Sequence, residues 1–136
     1  MYKSILVPID LSHAEAGQAI INVAKMLGGE GAQIILITVV EDIPAFVAAG
    51  LPDGVIEKSK KNAQEALEEI AREAGVQASV EVRIDQAYRA ILDAAEERNA
   101  DLIVVASHRP GLQQFLLGST ASRVVRHASC SVFVKR

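Results

Sequence analysis

The sequence has one cysteine, no tryptophan and no long apolar run, and each scarcity excludes a class of protein. Cys130 stands alone among 136 residues, so the chain has neither an intramolecular disulfide framework nor a multi-cysteine zinc site. We expect Cys130 to be a small buried hydrophobe. No apolar run approaches the roughly 18 residues that a membrane-spanning helix needs. Aromatic residues make up only 4% of the chain, so a bound ring would have to rest on aliphatic side chains.

The sequence also lacks an excess of positive charge. It has 14 basic and 17 acidic residues, for a net charge of −3. This balance does not favour general binding to phosphate backbones, so we expect no nucleic-acid partner. The first ten residues do not resemble a secretory signal peptide, because their short apolar stretch ends in Pro8 and Asp10. We therefore expect a cytoplasmic protein that does not associate with membranes.

Half of the residues are apolar, and they lie in segments that alternate between strand and helix patterns. The β-branched runs at 34–40 and 102–106 are typical of strands covered on both faces. Further strands are predicted at 4–8, 78–84 and 131–135, and helices at 13–27, 55–74, 87–98 and 119–127. The alternation of charged and apolar residues at 78–84 favours a place near a sheet edge. The whole pattern predicts one open α/β domain over residues 1–136, with a parallel sheet.

Local signals bound the first helix. Ser12 and Glu15 have the spacing of a capping box, which predicts a helix start at His13. The glycine-rich residues 28–31 are expected to end that helix in the left-handed conformation. Its predicted inward stripe consists of Ala16, Ile20, Val23, Ala24 and Leu27.

Ligands of open parallel sheets bind beyond the carboxyl ends of the strands, at the switch in strand order. Asp10 follows the first strand and can accept hydrogen bonds from ribose hydroxyls or from the amino group of adenine. A turn residue that caps the next helix is the alternative interpretation. Val39 and Val40 end the second strand and can sandwich an aromatic base, although core packing alone also explains them.

The segment after the fourth strand has the features of a phosphate site. Gly118 and Ser119 open a helix whose free amides and dipole favour an anion. Thr120 adds a hydroxyl, and His108 and Arg109 add donors suited to phosphate oxygens. A helix cap followed by a solvated loop would use the same residues without a ligand.

Several rival motifs are missing. The sequence contains no G-x-x-x-x-G-K-[ST] loop and no G-x-G-x-x-G after a strand. His13, His108 and His127 lack metal-ligand spacing, and His127 is better placed to complement a helix dipole. No G-x-S-x-G elbow is present, and Asp10 stands without the second acid that a phospho-receiver domain needs. The sequence thus predicts no catalytic residue and no metal ligand.

Several ordered motifs resemble the universal stress protein family over essentially the whole chain. Residues 5–12 read I-L-V-P-I-D-L-S and resemble the family signature I-L-V-P-x-D-x-S. Residues 35–40 and 100–105 resemble its second and fourth strands. Residues 116–119 and 124–134 resemble its ending L-L-G-S…V-x-x-x-A…C-P-V-x-V. The resemblance implies a Rossmann-like sheet of five parallel strands in the order 3-2-1-4-5, flanked by four helices.

The chain departs from the pattern G-x2-G-x9-G-[ST] that the ATP-binding branch of this family carries. Ala106 and Arg109 replace the first two glycines, and the loop is one residue shorter, whereas Gly118 and Ser119 are intact. The letters A-S-H-R-P at 106–110 resemble a bacterial subgroup of the family. Arg109 can replace a lost amide contact by a charge-assisted one. ATP or a similar adenine nucleotide is therefore still expected, with Mg²⁺ as a companion held mostly through water.

The resemblance also implies which residues form the site. Asp10 and Val39 would contact adenine or ribose. The base pocket would be lined by Pro8, Ile9, Val105 and Ala106. The ribose and phosphates would be surrounded by Ser107, His108, Arg109, Gly118, Ser119 and Thr120.

The last strand carries the partner prediction that follows from the same resemblance. The resemblance implies a homodimer, or a tetramer, formed through Val132, Phe133 and Val134. The predicted function is a regulatory protein of the stress response that binds ATP and hydrolyses it slowly at most. The alternative is a nucleotide-independent universal stress protein that acts as a dimeric partner-binding module.

Overall fold

One parallel sheet organises this computed structural model, which describes residues 1–41, 47, 49–107 and 117–136. The strands are β1 (Tyr2–Pro8), β2 (Gly28–Val40), β3 (Ala78–Ile84), β4 (Leu102–Ala106) and β5 (Ser131–Lys135). The helices are α1 (Ala14–Leu27), α2 (Val55–Ala74), α3 (Ala87–Glu97) and α4 (Ser119–His127). The strands pair in parallel in the order β3-β2-β1-β4-β5. The predicted fold class and strand order are confirmed, and four helices flank the sheet in the described ranges, as predicted.

Two apolar layers cover the sheet, one on each face. Ile5 and Val7 of β1 pack with side chains of α1 and α2, such as Ile20 and Leu67. The intervening Leu6 packs on the opposite face, against side chains of α3 and α4. Ile5, Leu6 and Val7 are all 0% exposed. Burial on both faces explains why this strand is a continuous apolar run and why it lies at the centre of the sheet.

The start of α1 differs from the prediction. Asp10 accepts the N–H of Ser12 at 2.9 Å and begins a short 3-10 turn, Leu11–His13. α1 then begins at Ala14, without a side-chain cap. The predicted capping box of Ser12 and Glu15 is therefore wrong. The carboxylate of Asp10 is a stronger acceptor than a hydroxyl and starts the turn earlier in the chain.

α1 ends at Leu27, as predicted, but β2 begins directly at Gly28 instead of at Ile34. Gly28 has an extended backbone with φ −75°, and the left-handed residue is Gly31, with φ +77°. The register jumps from Tyr2 opposite Gly28 to Ser4 opposite Gln33. The glycine-rich segment follows the helix, as predicted, but it forms a bulge within β2, where a positive φ is accommodated. The predicted left-handed turn at the helix end is wrong.

The remaining elements follow the predicted bounds closely. α2, α4, β3, β4 and β5 match them, and α3 ends at Glu97, one residue early. β3 lies at a sheet edge. Ala16 is exposed, however, and the buried residues of α1 are Gly17, Ile20, Ile21 and Ala24.

Within the described ranges, no helix combines the length and the apolar character that crossing a bilayer requires.

Hydrogen bonds join the carboxyl ends of β1 and β2. The N–H of Ile9, the residue after β1, donates to the carbonyl of Ile37 at 2.7 Å. The hydroxyl of Thr38 donates to the carbonyl of Ile9 at 2.8 Å. Thr38 is only 5% exposed, so water does not compete strongly for this bond. These bonds fix the backbone that leads directly into Asp10.

A carboxylate joins the opposite ends of β1 and β4. Asp101, which precedes β4, accepts the backbone N–H of Lys3 and of Ser4 at 2.9 Å each. Its own N–H donates to the carbonyl of Ser4 at 2.9 Å. The N–H groups of Lys3 and Ser4 lower the pKa of the Asp101 carboxyl below its usual value.

We predict that Thr38→Val lowers the free energy of unfolding by about 1–2 kcal/mol, because the Ile9 carbonyl loses a buried donor while the side-chain shape is retained. Urea denaturation measures the change. A free energy equal to that of the wild type would contradict a structural role for the Thr38 hydroxyl.

We predict that Asp101→Asn costs about 1–2 kcal/mol of unfolding free energy near neutral pH. Because folding lowers this pKa, the contribution is fully present above the unfolded-state pKa and is lost as the pH falls through the folded-state pKa. Denaturation at a series of pH values should show the two proteins converging in acid. The exposed Glu96→Gln is the control, and a difference independent of pH would contradict the assignment.

Candidate functional site

The carboxyl ends of β1 and β2 bring Asp10 and Val39 to the same edge of the sheet. Ile9 is hydrogen-bonded to Ile37 and Thr38, so the next residue of each segment, Asp10 or Val39, follows at this edge. Val39 is half-buried and packs against the core on the α3 side of the sheet. Val39 therefore contributes to core packing, as the alternative interpretation proposed, and part of its surface remains accessible.

The Asp10 carboxylate is a fixed and accessible acceptor. One oxygen accepts the N–H of Ser12 at 2.9 Å, and the other lies 3.2 Å from Nδ1 of His13. Partial burial by itself raises the pKa of this carboxyl, but the Ser12 N–H and His13 outweigh burial and lower the pKa below its usual value. The side chain is still 49% exposed. Asp10 does cap a turn, as the alternative interpretation proposed, and a carboxylate retains further lone pairs for a ligand.

The end of β4 and the start of α4 meet through the backbone. The N–H of Ser107 donates to the carbonyl of Lys135 at 2.9 Å, and the N–H of Gly118 donates to the carbonyl of Ser107 at 2.6 Å. Ser107 is buried and Ala106 is half-buried. Ser107, which follows β4, and Gly118, which precedes α4, are therefore in direct contact. His108 and Arg109, both predicted site residues, lie outside the described residues.

The first turn of α4 has the character of an anion site. Gly118 is its extended N-cap residue, and no described side chain caps the turn. The turn contains no acidic residue, Ser119 is exposed and Thr120 is half-buried. The last turn carries Arg126 and His127, which complement the other end of the helix dipole. Free amides and hydroxyl groups at the first turn can donate hydrogen bonds to phosphate oxygens.

Three kinds of chemistry therefore follow one another along the edge of the sheet. The order β2-β1-β4 places the aliphatic Val39 first, the acceptor Asp10 second and, beside the end of β4, the donors of the first turn of α4 third. Pro8 and Ala106 are half-buried beside buried Ile9 and Val105, and they add aliphatic surface. This arrangement suits a ligand that carries a ring, hydrogen-bond donors and an anionic group in that order.

Sequence reasoning missed two residues of this region. His13 was predicted to start a helix and was rejected as a metal ligand, and its contact with Asp10 was not foreseen. Thr38 was assigned only to a strand, although its hydroxyl holds Ile9. The spacing of three residues between Asp10 and His13 was the available signal for the first contact. Among the described residues, no three His, Cys, Asp or Glu side chains are grouped so that they could hold a metal ion.

Cys130 lies apart from this site and is half-buried. Burial raises the pKa of its thiol, which disfavours the reactive thiolate form.

Comparison with solved structures identifies the same fold in several proteins. A universal stress protein, UspA from Lactobacillus plantarum, superposes with a TM-score of 0.72 at 28% identity, over 99% of this chain and 98% of the other. A universal stress protein in complex with cAMP gives 0.67 at 22% identity, over 99% of this chain and 97% of the other. One from Archaeoglobus fulgidus in complex with dAMP gives 0.65 at 21% identity, over 99% and 98% of the two chains. At 22% and 21% identity, the last two comparisons show a shared fold and nothing more.

Comparison of sequences is more specific. The Universal stress protein MJ0531 of Methanocaldococcus jannaschii is 37% identical over 98% of this chain and 82% of the relative. The model of the universal stress protein family matches residues 1–136. The chain therefore belongs to the universal stress protein family.

Proposed function

We propose that the protein is a cytoplasmic regulator of the stress response that binds ATP, or a similar adenine nucleotide, at the carboxyl ends of β1, β2 and β4. The observation that carries the proposal is the position of Asp10, a fixed acceptor between the aliphatic Val39 and the donor-rich start of α4. Solved members of the family in complex with cAMP and dAMP support an adenine nucleotide as the ligand class.

The adenine ring would lie on aliphatic surface. Val39, Pro8 and Ala106 are half-buried, so each keeps accessible surface for a ring. Ile9 and Val105, their neighbours in the chain, are 3% and 4% exposed and belong to the core. Burial of a flat ring against such side chains is favourable in proportion to the apolar area removed from water.

The phosphates would lie at the start of α4. The backbone N–H groups of its first turn and the hydroxyls of Ser119 and Thr120 supply donors, and Gly118 allows close approach of the backbone. We include Ser107, His108 and Arg109 in this part of the site on the strength of the sequence. Mg²⁺ would be held through phosphate oxygens and water, the coordination it prefers at nucleotides.

We propose binding and not efficient hydrolysis. Asp10 follows β1, whereas the phosphate donors follow β4, so its carboxylate belongs to the nucleoside part of the site. Its lowered pKa also makes it a weak base near neutral pH. The described residues of the site therefore offer recognition groups for a nucleotide and no proposed catalytic residue.

We predict that the double variant Asp10→Ala, Ser119→Ala weakens ATP binding at least about tenfold, because it removes an acceptor at the nucleoside and a donor at the phosphates. Isothermal titration calorimetry on nucleotide-stripped protein measures the affinity, and circular dichroism checks the fold.

The matched control is Ser59→Ala, Asp93→Ala, which makes the same two exchanges at exposed positions on α2 and α3. Its affinity should equal that of the wild type. Wild-type protein that binds no ATP at hundreds of micromolar would overturn the proposed function.

An exposed aromatic residue on an edge strand favours a second role, as a dimeric partner-binding module. β5 lies at the edge of the sheet opposite β3, and Phe133 on it is 38% exposed. Val132 and Val134 are half-buried and pack towards α3 and α4. An edge strand with an apolar side chain can pair with a second copy of itself. We propose a homodimer through β5, from which a tetramer could be built.

We predict that Phe133→Glu shifts the protein from dimer to monomer, because two like charges would face each other across the paired strands. Sedimentation velocity at tens of micromolar protein measures the oligomeric state. Met26→Glu is the control, since Met26 is exposed on α1, away from β5. A wild type that sediments as a monomer would contradict the dimer, and it would leave nucleotide binding to be judged by calorimetry.

A further inference from the structure

His13 is built into the turn that carries Asp10. Its N–H donates to the carbonyl of Asp10 at 2.9 Å, and its Nδ1 lies 3.2 Å from the Asp10 carboxylate. His13 is the N-cap residue of α1, yet its side chain makes no capping bond to the helix. The imidazole is 33% exposed and lies against the carboxylate instead.

This contact completes the orientation of the carboxylate. Ser12 holds one oxygen through its backbone N–H, and His13 holds the other. The tautomer with a proton on Nδ1 is the neutral form that donates in this contact. A carboxylate held from both sides does not have to be ordered when a ligand binds, so less conformational entropy is lost on binding.

The strand order indicates which part of a nucleotide meets this carboxylate. A nucleotide is joined in the order base, ribose, phosphate. The site runs from Val39 near the end of β2 to Asp10 after β1 and then to Gly118 at the start of α4. The middle position therefore corresponds to the ribose. The ribose hydroxyls can donate hydrogen bonds, which an ionised carboxylate can accept. An ionised phosphate has no such donor.

We infer that His13 is a positioning residue that holds Asp10 towards the ribose hydroxyls and thereby sets a preference for ribonucleotides over deoxyribonucleotides. This inference rests on the proposed nucleotide site. It assigns no contact between His13 and the nucleotide itself, because His13 acts through the carboxylate.

The test compares the wild type with His13→Ala and His13→Asn. An asparagine amide nitrogen can take the place of Nδ1, so His13→Asn should retain the hold on Asp10, and alanine should lose it. Calorimetry with ATP, 2′-deoxy-ATP and 3′-deoxy-ATP gives the affinities. We expect His13→Ala to weaken ATP by about 3- to 10-fold and to change at least one deoxy analogue much less. His13→Asn should restore the wild-type ratio of the affinity for ATP to the affinities for the deoxy analogues. His127→Ala is the control.

A second measurement does not depend on a ligand. The carboxyl carbon of Asp10, followed by NMR against pH, should show a higher pKa in His13→Ala than in the wild type, because a group that favours the ionised form has been removed. Denaturation midpoints show whether each variant is folded.

The outcomes separate the two hypotheses. A wild type that binds none of the three nucleotides overturns the proposed function and this inference with it. A wild type that binds ATP, with the same ratio of ATP to deoxy affinities in His13→Ala, overturns the inference alone. An Asp10 pKa that does not change in His13→Ala also overturns it, because the contact would then not exist in solution.

Discussion

The hydrogen bond from the buried Thr38 hydroxyl to the Ile9 carbonyl is the contact on which the candidate site depends. β1 ends at Pro8, and its regular pairing with β2 ends there as well. Thr38 and the Ile9 N–H continue that pairing for one further residue. The turn that carries Asp10 therefore starts from a fixed backbone at the centre of the sheet. In the proposed site, the pairing of these two strands holds the charge of Asp10 and the surface of Val39 in fixed positions.

Much of the fold could be predicted because burial selects residue types strongly. β4 is covered on both faces, and its run Leu102–Ala106 has the matching continuous apolar character. β3 lies at an edge, and its alternation of Val80 and Val82 with Glu81 reflects one apolar face and one face with ion pairs. Gly75 ends α2 with φ +68°, as a glycine after an amphipathic helix indicates. In each case one physical effect, either burial or backbone sterics, is strong enough to decide the structure.

The local errors arose where two weak preferences compete. Ser12 could have capped α1, but the Asp10 carboxylate, two residues earlier, started a 3-10 turn first. Gly28 follows the end of α1 in an extended conformation and not a left-handed one, and residues 28–31 form a bulge in β2. Of the candidate site, the chain positions of Asp10, Val39 and Gly118 could be predicted from the rule that ligands lie beyond strand ends. The contact of His13 with Asp10 could not, since it depends on a turn geometry that the sequence pattern does not specify.

The bond between the Gly118 N–H and the Ser107 carbonyl has a consequence for how this family can diversify. It joins residue 107 to residue 118, so the end of β4 and the start of α4 are held together whatever chain lies between those two positions. The entropy of closing a loop changes only slowly with its length. Residues can therefore be inserted, deleted or exchanged between positions 107 and 118 with little loss of folding stability. Selection on ligand preference can act there almost independently of selection on stability, and a segment one residue shorter than the family pattern is a change of this kind.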